Sequence, residues 1–371
     1  MEIYYKGTCR RVAEKLRQAR ELCPNFSFQM YLDAKVSELL LGTEESRRIS
    51  DALWIAHDYR VDLLLSTAME VYMDEWKNIK GAPTGGVFIK NKSLDHFVTD
   101  LLAHSAAIER EGPSPYFRPD ARSSTTLILR PVDIFSWSAD YCTAPQVTLA
   151  QCLPNDEEMR KRCGAVNLLY LNTTTSLLET SQYRSHRTFL PRAEFERLKG
   201  LFSEASSISS MLHELGHTTG QAADPARRTE NPELTFGNEY NCLEELRAEV
   251  FSMYGVCYCE EHRIITSEMA RASHYDMLSV LVGSLKHTPV QAHQKARNMM
   301  FHFFKKRGGI VELKEEAEVV QPDGSSKTED VVKWAFDLEK LKPLVLEFLG
   351  RIQDIKSRLD KDGLLHFFCF L

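Results

Sequence analysis

Ser206-Ser-Ile-Ser-Ser-Met-Leu-His213-Glu214-Leu-Gly-His217-Thr-Thr-Gly220 is the stretch from which the rest of the chain is read. The spacing predicts a helix carrying the H-E-x-x-H pattern. Residues four apart share one face of a helix, so His213 and His217 can hold one metal ion together. Glu214 lies one step round, where its carboxylate can reach a water at the metal rather than the metal itself. Zinc hydrolysis needs two neutral imidazoles, an open coordination position and a general base. The competing reading is an amphipathic helix with two incidental histidines, and a third ligand decides between them.

The metzincin continuation H-E-x-x-H-x-x-G-x-x-H holds as far as Gly220. Position 223 is Ala223, however, and Asp224 lies one place off. Further on comes Cys242-Leu-Glu244-Glu245-Leu-Arg247-Ala248-Glu249-Val-Phe-Ser-Met-Tyr. Its apolar residues Leu243, Leu246, Val250 and Met253 recur at helical period, with carboxylates along one edge. A glutamate from a second helix completes a His-His-Glu site like that of thermolysin-type enzymes. An acidic helix edge is ordinarily a solvated surface, but an H-E-x-x-H helix one short loop upstream reverses that reading.

With both motifs in view, the chain resembles the dipeptidyl-peptidase III family of zinc metallopeptidases. That family's mark is a zinc helix followed by E-E-x-[RK]-A-[DE], matched here by Glu244-Glu245-Leu-Arg247-Ala248-Glu249. The resemblance implies Glu245 as the third zinc ligand, with Glu244 and Glu249 orienting the histidine rings. Gln291-Ala292-His293-Gln-Lys-Ala296-Arg297 resembles the family's Q-A-H-x-x-A-R segment, whose His and Arg face the substrate. His293 would then be catalytic, stabilising the oxyanion, and Arg297 would bind substrate. Leu153-Pro154-Asn155-Asp-Glu-Glu-Met-Arg resembles I-P-N-x-D-[DE]-x-R and implies a substrate contact for Asn155. Met69-Glu70-Val71-Tyr72-Met-Asp74 resembles a Y-E-T-Y-E-D-like segment of shorter relatives, which would bring Glu70 and Tyr72 to the substrate. Residues 336–361 follow a late helix of the family and residues 10–90 follow it more loosely, so the resemblance covers most of the chain.

The implied fold is α+β, mainly α: a helical zinc-binding domain with a reduced β-rich lobe across a cleft. N-terminal helices and that lobe would occupy residues 1–170, and the zinc catalytic domain residues 171–371. One Zn(2+) per chain would serve hydrolysis of a peptide or related carbonyl, with Glu214 as general base. The alternative is a zinc Lewis-acid enzyme (hydrolase, lyase, isomerase or cyclase) acting on a small non-peptide metabolite. Departures from the family support keeping it. Many members have one more residue between the histidines, and full-length members are longer at both ends. Leucines around Val61-Asp62-Leu63-Leu64-Leu65 stand where peptidases place the Glu that binds the peptide amino terminus, and Cys152 stands where an Asn contacts the substrate backbone. A shift of one position would put Asp62 at the amine site.

Composition agrees with an ordinary globular protein: 43% hydrophobic and 26% charged residues in 371. A net charge of −6 leaves no footprint for nucleic acid or an anionic membrane surface. Nine cysteines without a C-x-x-C pair read as reduced thiols rather than a disulfide scaffold. Met1-Glu-Ile-Tyr-Tyr-Lys-Gly7 lacks the apolar core of a signal peptide, and no apolar run is long enough for a bilayer. The expectation is a soluble cytoplasmic protein whose partner is a short peptide or small molecule.

Along the chain, helices are expected at 11–22, 30–41, 50–56, 63–76 and 94–111, with strands near 87–90, 124–134, 146–149 and 166–171. A polar loop at 221–240 joins the two metal helices. Further helices are expected at 243–261, 266–282, 289–306 and 337–360, with a hairpin about Gln321-Pro-Asp-Gly-Ser-Ser. The apolar tail from Leu364 must pack or associate.

Overall fold

The computed structural model describes residues 2–66, 71–72, 80–81, 84–117, 127–139, 148–154, 159, 162–220, 224, 230–286, 291–320 and 325–370. The architecture is α+β and mainly helical. The chain divides into two compact units, one made of Met1–Asp95 with Ser123–Thr173 and the other of His96–Arg122 with Thr174–Leu371.

The first unit opens with three helices, α1 (Glu2–Leu22), α2 (Phe26–Leu41) and α3 (Glu44–Ala56). Asn25 and Thr43 cap α2 and α3 by accepting from the backbone N–H groups of Phe28 and Ser46, and Gly42 turns left-handed at φ 64° to end α2. Strands β1 (Val61–Ser66), β4 (Thr84–Lys90), β5 (Leu127–Ala139), β6 (Ala150–Leu153) and β7 (Ala165–Tyr170) form a sheet of order β1-β4-β5-β7-β6. The short β2 (Val71–Tyr72) and β3 (Lys80–Gly81) pair separately. Among the described pairs of this sheet, only β5 and β7 run parallel. Tyr31, Leu32 and Trp54 from the helices meet Leu64, Phe88, Val132, Val166, Leu168 and Tyr170 from the sheet in one buried core.

Residues 63–66 correct the expectation of a helix from 63 to 76. Val61–Ser66 is extended and pairs antiparallel with β4, from Val61 opposite Ile89 to Ser66 opposite Thr84. A short apolar run does not distinguish strand from buried helix by periodicity, and here the partner strand decides. Burial alternates along β1: Asp62 and Leu64 are wholly buried, while Val61, Leu63 and Leu65 are only half-buried.

In the second unit, α4 (Asp95–Arg110) is followed by α5 (Leu171–Leu177), a π-helical turn (Leu178–Gln182), α6 (Tyr183–Phe189) and α7 (Arg192–Leu198). The metal-motif helix is α8 (Phe202–Thr218). The expected polar loop contains α9 (Pro232–Phe236), capped by Asn231, and a 3₁₀ turn (Gly237–Glu239). Then come α10 (Tyr240–Glu261), α11 (Ser267–Ser284), α12 (Ala292–Lys306), the hairpin β8 (Ile310–Val320) and β9 (Ser326–Phe336), α13 (Leu338–Arg358) and α14 (Lys361–Phe370). The apolar tail packs: Leu364 and Phe367 of α14 are buried, and Phe367 lies 5.7 Å from the Phe348 ring of α13. Among the described residues no helix is long and apolar enough to cross a membrane.

Candidate metal centre

Helices α8 and α10 pack side by side, and the site is built on their shared face. The apolar side of α8 (Ala205, Ile208, Met211, Leu212, Leu215) is buried, which fixes the roll of the helix and leaves His213 and His217 together, one turn apart. Gly216 lets the helices approach: a Cβ there would stand 3.1 Å from Ala248 Cα. The helix ends at Thr218, and Gly220 follows at φ +72°, donating its N–H to Glu109 of α4. α10 is buried along most of its length, so its glutamates emerge from a core helix rather than a solvated one.

Three donor atoms converge. His213 Nε2 lies 3.1 Å from His217 Nε2 and 3.3 Å from Glu245 Oε2, and His217 Nε2 lies 3.6 Å from Glu245 Oε2. A tetrahedral zinc with bonds of 2.0–2.2 Å sets its donor atoms roughly 3.3–3.5 Å apart. The observed triangle brackets that spacing, so these residues fit such an ion. Glu245 Oε2 is buried without a hydrogen-bond partner, an arrangement that leaves a carboxylate oxygen uncompensated unless a cation meets it.

The surrounding charges lead to the same conclusion. Glu244 receives Arg247 Nη2 at 2.6 Å and Lys356 Nζ at 2.5 Å, and its Oε1 stands 3.2 Å from His217 Nδ1. Burial opposes its charge, but Arg247 and Lys356 hold the carboxyl well below the usual range. Glu249 accepts from Arg297 at 2.9 Å, which outweighs burial and depresses it likewise. Among the described residues, Glu245 alone of the three has no Arg or Lys ion partner; its ion-pair contacts there are imidazoles. Burial disfavours a charged His217 ring, yet Glu244 and Glu245 together raise it to about 10, which registers the surplus of negative charge about that ring.

The structure thus brings His213, His217, Glu244, Glu245, Glu249, His293 and Arg297 together. His293 Nδ1 lies 3.3 Å from Glu245 Oε2. Glu214 is half-buried on α8 and, among the described residues, has no hydrogen-bond or ion-pair partner. Glu70 and Asn155 lie outside the described residues, as does the side chain of Tyr72, whose backbone forms the end of β2. Sequence reasoning missed two groups. Arg247 is fully buried and donates to the Gly216 and Thr219 carbonyls, satisfying the last turn of α8. Lys356, brought from α13, carries no local signal; burial and Arg247 push its amine down to about 8 against the pull of Glu244.

Asp62 is placed just as plainly. It is wholly buried in the first unit, where Oδ2 accepts from Arg130 Nη1 at 2.6 Å and Oδ1 from Trp54 Nε1 at 2.8 Å. Its carboxylate is committed to that core and is not free to hold an ammonium.

The fold has solved counterparts. The structure of DPP III from Caldithrix abyssi matches with a TM-score of 0.83 at 19% identity, over 99% of this chain and 66% of that one. The structure of dipeptidyl-peptidase III from Corallococcus sp. strain EGB matches with a TM-score of 0.78 at 18% identity, over 98% of this chain and 64% of that one. The chain has the dipeptidyl-peptidase III fold. It spans about two thirds of the length of those two proteins. No protein-family model matches the sequence, nor does any curated protein sequence.

Proposed function

We propose that this chain is a zinc-dependent hydrolase of the dipeptidyl-peptidase III type, with one ion held by His213, His217 and Glu245. The observation that carries the reading is the triangle of donor atoms 3.1, 3.3 and 3.6 Å apart, one of them a buried carboxylate oxygen without a partner. Bound there, zinc supplies a Lewis acid that brings the pKa of a water towards neutrality and polarises a carbonyl. Glu214, free of other partners among the described residues, accepts the proton of the attacking water and returns it to the leaving group. His293 donates to the developing oxyanion, and Arg297, held by Glu249, faces the substrate. Glu244 keeps the His217 ring in place through Nδ1, which leaves Nε2 free to ligate.

The substrate is a short peptide or a related small molecule, and one observation favours the less polar end of that range. With Asp62 committed to Arg130 and Trp54, β1 offers no free carboxylate for a peptide amino terminus. Leaving an ammonium against leucine without a partner is strongly unfavourable.

The test joins metal analysis to kinetics. Wild type should carry about one zinc per chain, and His213→Ala and Glu245→Ala should lose it. Glu214→Gln should keep the zinc and lose on the order of a hundredfold or more in rate on any substrate the protein turns over. Wild-type zinc in both ligand variants, or near wild-type turnover by Glu214→Gln, would refute the assignment.

A further inference from the structure

Resting on that reading of the site, we infer that His293 is a fourth, replaceable protein ligand to the same ion. It closes the coordination shell when no substrate is bound and gives up its place when a carbonyl arrives. The geometry points to this in three ways. His293 Nδ1 lies 3.3 Å from Glu245 Oε2, the same spacing that separates Glu245 from His213. The donor atoms of His213, Glu245 and His293 all fall within 4.8 Å of one another. A ring nitrogen 3.3 Å from Glu245 Oε2 is at the spacing of two donors that share one ion.

The second observation is chemical. His293 Nδ1 is buried and without a hydrogen-bond partner, as is the Glu245 oxygen it faces. The other carboxylate within reach, Glu249 Oε1 at 3.6 Å, already takes both Nε and Nη2 of Arg297 at 2.9 Å. Two buried polar atoms that face each other without a hydrogen bond are accounted for together by one cation that both ligate.

The third is exposure. The His293 side chain is 46% exposed, against 13% for His213 and 22% for His217. His213 and His217 are fixed one turn apart on α8, whereas His293 stands in the first turn of α12, directly after residues of the sequence that precede the helix. The two α8 rings form the permanent part of the site and the α12 ring the part that can swing out. Once displaced, the same imidazole is at hand for the substrate oxygen, so the ligand role and the oxyanion role follow one another.

X-ray absorption spectroscopy of the zinc-loaded full chain decides the matter, because outer-shell scattering counts coordinated imidazoles. Wild type should show three, and His293→Ala two with full zinc retained. Imidazole added to the His293→Ala protein should restore the third. Acetohydroxamate, a small zinc-binding carbonyl analogue, should reduce wild type from three to two. Two imidazoles in both wild type and variant overturn the inference and leave the three-residue site standing. Three in wild type that persist with hydroxamate bound overturn the replaceable role. A wild-type protein that holds no zinc overturns the site itself. A His293→Gln protein supplies the same count if the alanine variant fails to fold.

Discussion

Asp62→Asn separates two roles that one carboxylate could play. If Asp62 held a peptide ammonium, the substitution would leave the fold intact and raise KM. The structure gives it a different task. Its side chain is wholly buried, and it is the acidic partner of Arg130, which is only 4% exposed and has its other guanidinium nitrogen on the Ile55 and His57 carbonyls. The amide can still accept from Trp54 Nε1 but cannot balance the guanidinium. Removing one member of a buried ion pair costs about 3–5 kcal/mol, because the survivor is left charged in the core. The pH dependence has a definite sign. Burial raises the Asp62 carboxyl, but His57 and Arg130 prevail and hold it far below its ordinary value. A depressed carboxyl contributes stability above its unfolded pKa, about 3.9, and loses that contribution as pH falls towards the folded value. Urea unfolding followed by tryptophan fluorescence at pH 7 and at pH 3.5 measures both effects. The variant should lose several kcal/mol at pH 7 and show a flatter acid dependence than wild type, with KM on dipeptidyl-arylamides unchanged. A stability change below about 1 kcal/mol together with a large rise in KM would refute the placement of Asp62.

Two further outcomes are expected. Lys356→Met should weaken zinc binding about 10- to 100-fold in chelator competition, since Lys356 holds the Glu244 that holds His217; unchanged affinity would mean that Arg247 positions Glu244 alone. His274, buried on α11, has its ring pushed down to about 4 by burial, so the unfolded chain binds the extra proton first as pH drops below about 6.5. Stability should therefore fall by roughly 2 kcal/mol between pH 7.5 and pH 5 on its account. His274→Phe should remove that slope in chemical denaturation, and an unchanged slope would place the acid sensitivity elsewhere.

The cluster of His213, His217 and Glu245 was legible in the sequence because both of its halves are local. His213 and His217 sit one turn apart, and Glu244, Glu245 and Glu249 lie on one edge of the next long helix, so helical period alone presents them. The supporting charges were not legible to the same degree. Lys356 reaches Glu244 across 112 positions of sequence, and no local pattern marks a lysine destined for burial. Arg247 stood in the quoted motif, but its bonds to the α8 carbonyls depend on how closely two helices pack. β1 failed for a related reason: six residues without a breaker specify burial, and only the β4 partner specifies an extended chain. The 221–240 segment looked like a loop because its polar residues outnumber the apolar ones, yet Asn231 and Pro232 begin a short helix within it.

On the proposed reading, the close approach at Gly216 would work as a gauge for the ion. The two imidazoles belong to one helix and the carboxylate to another, so the bite of such a chelate would be set by the gap between two rods. That gap is fixed where a side chain is missing. A methyl group at Gly216 would press on the Ala248 backbone at 3.1 Å and act as a shim of a few tenths of an ångström. Metal sites tolerate ligand distances only within about 0.2 Å, so the shim would be about as thick as the tolerance. Selectivity among ions of different radius would then be tuned from a position that never touches the metal, by thickening or thinning the contact between its two supports.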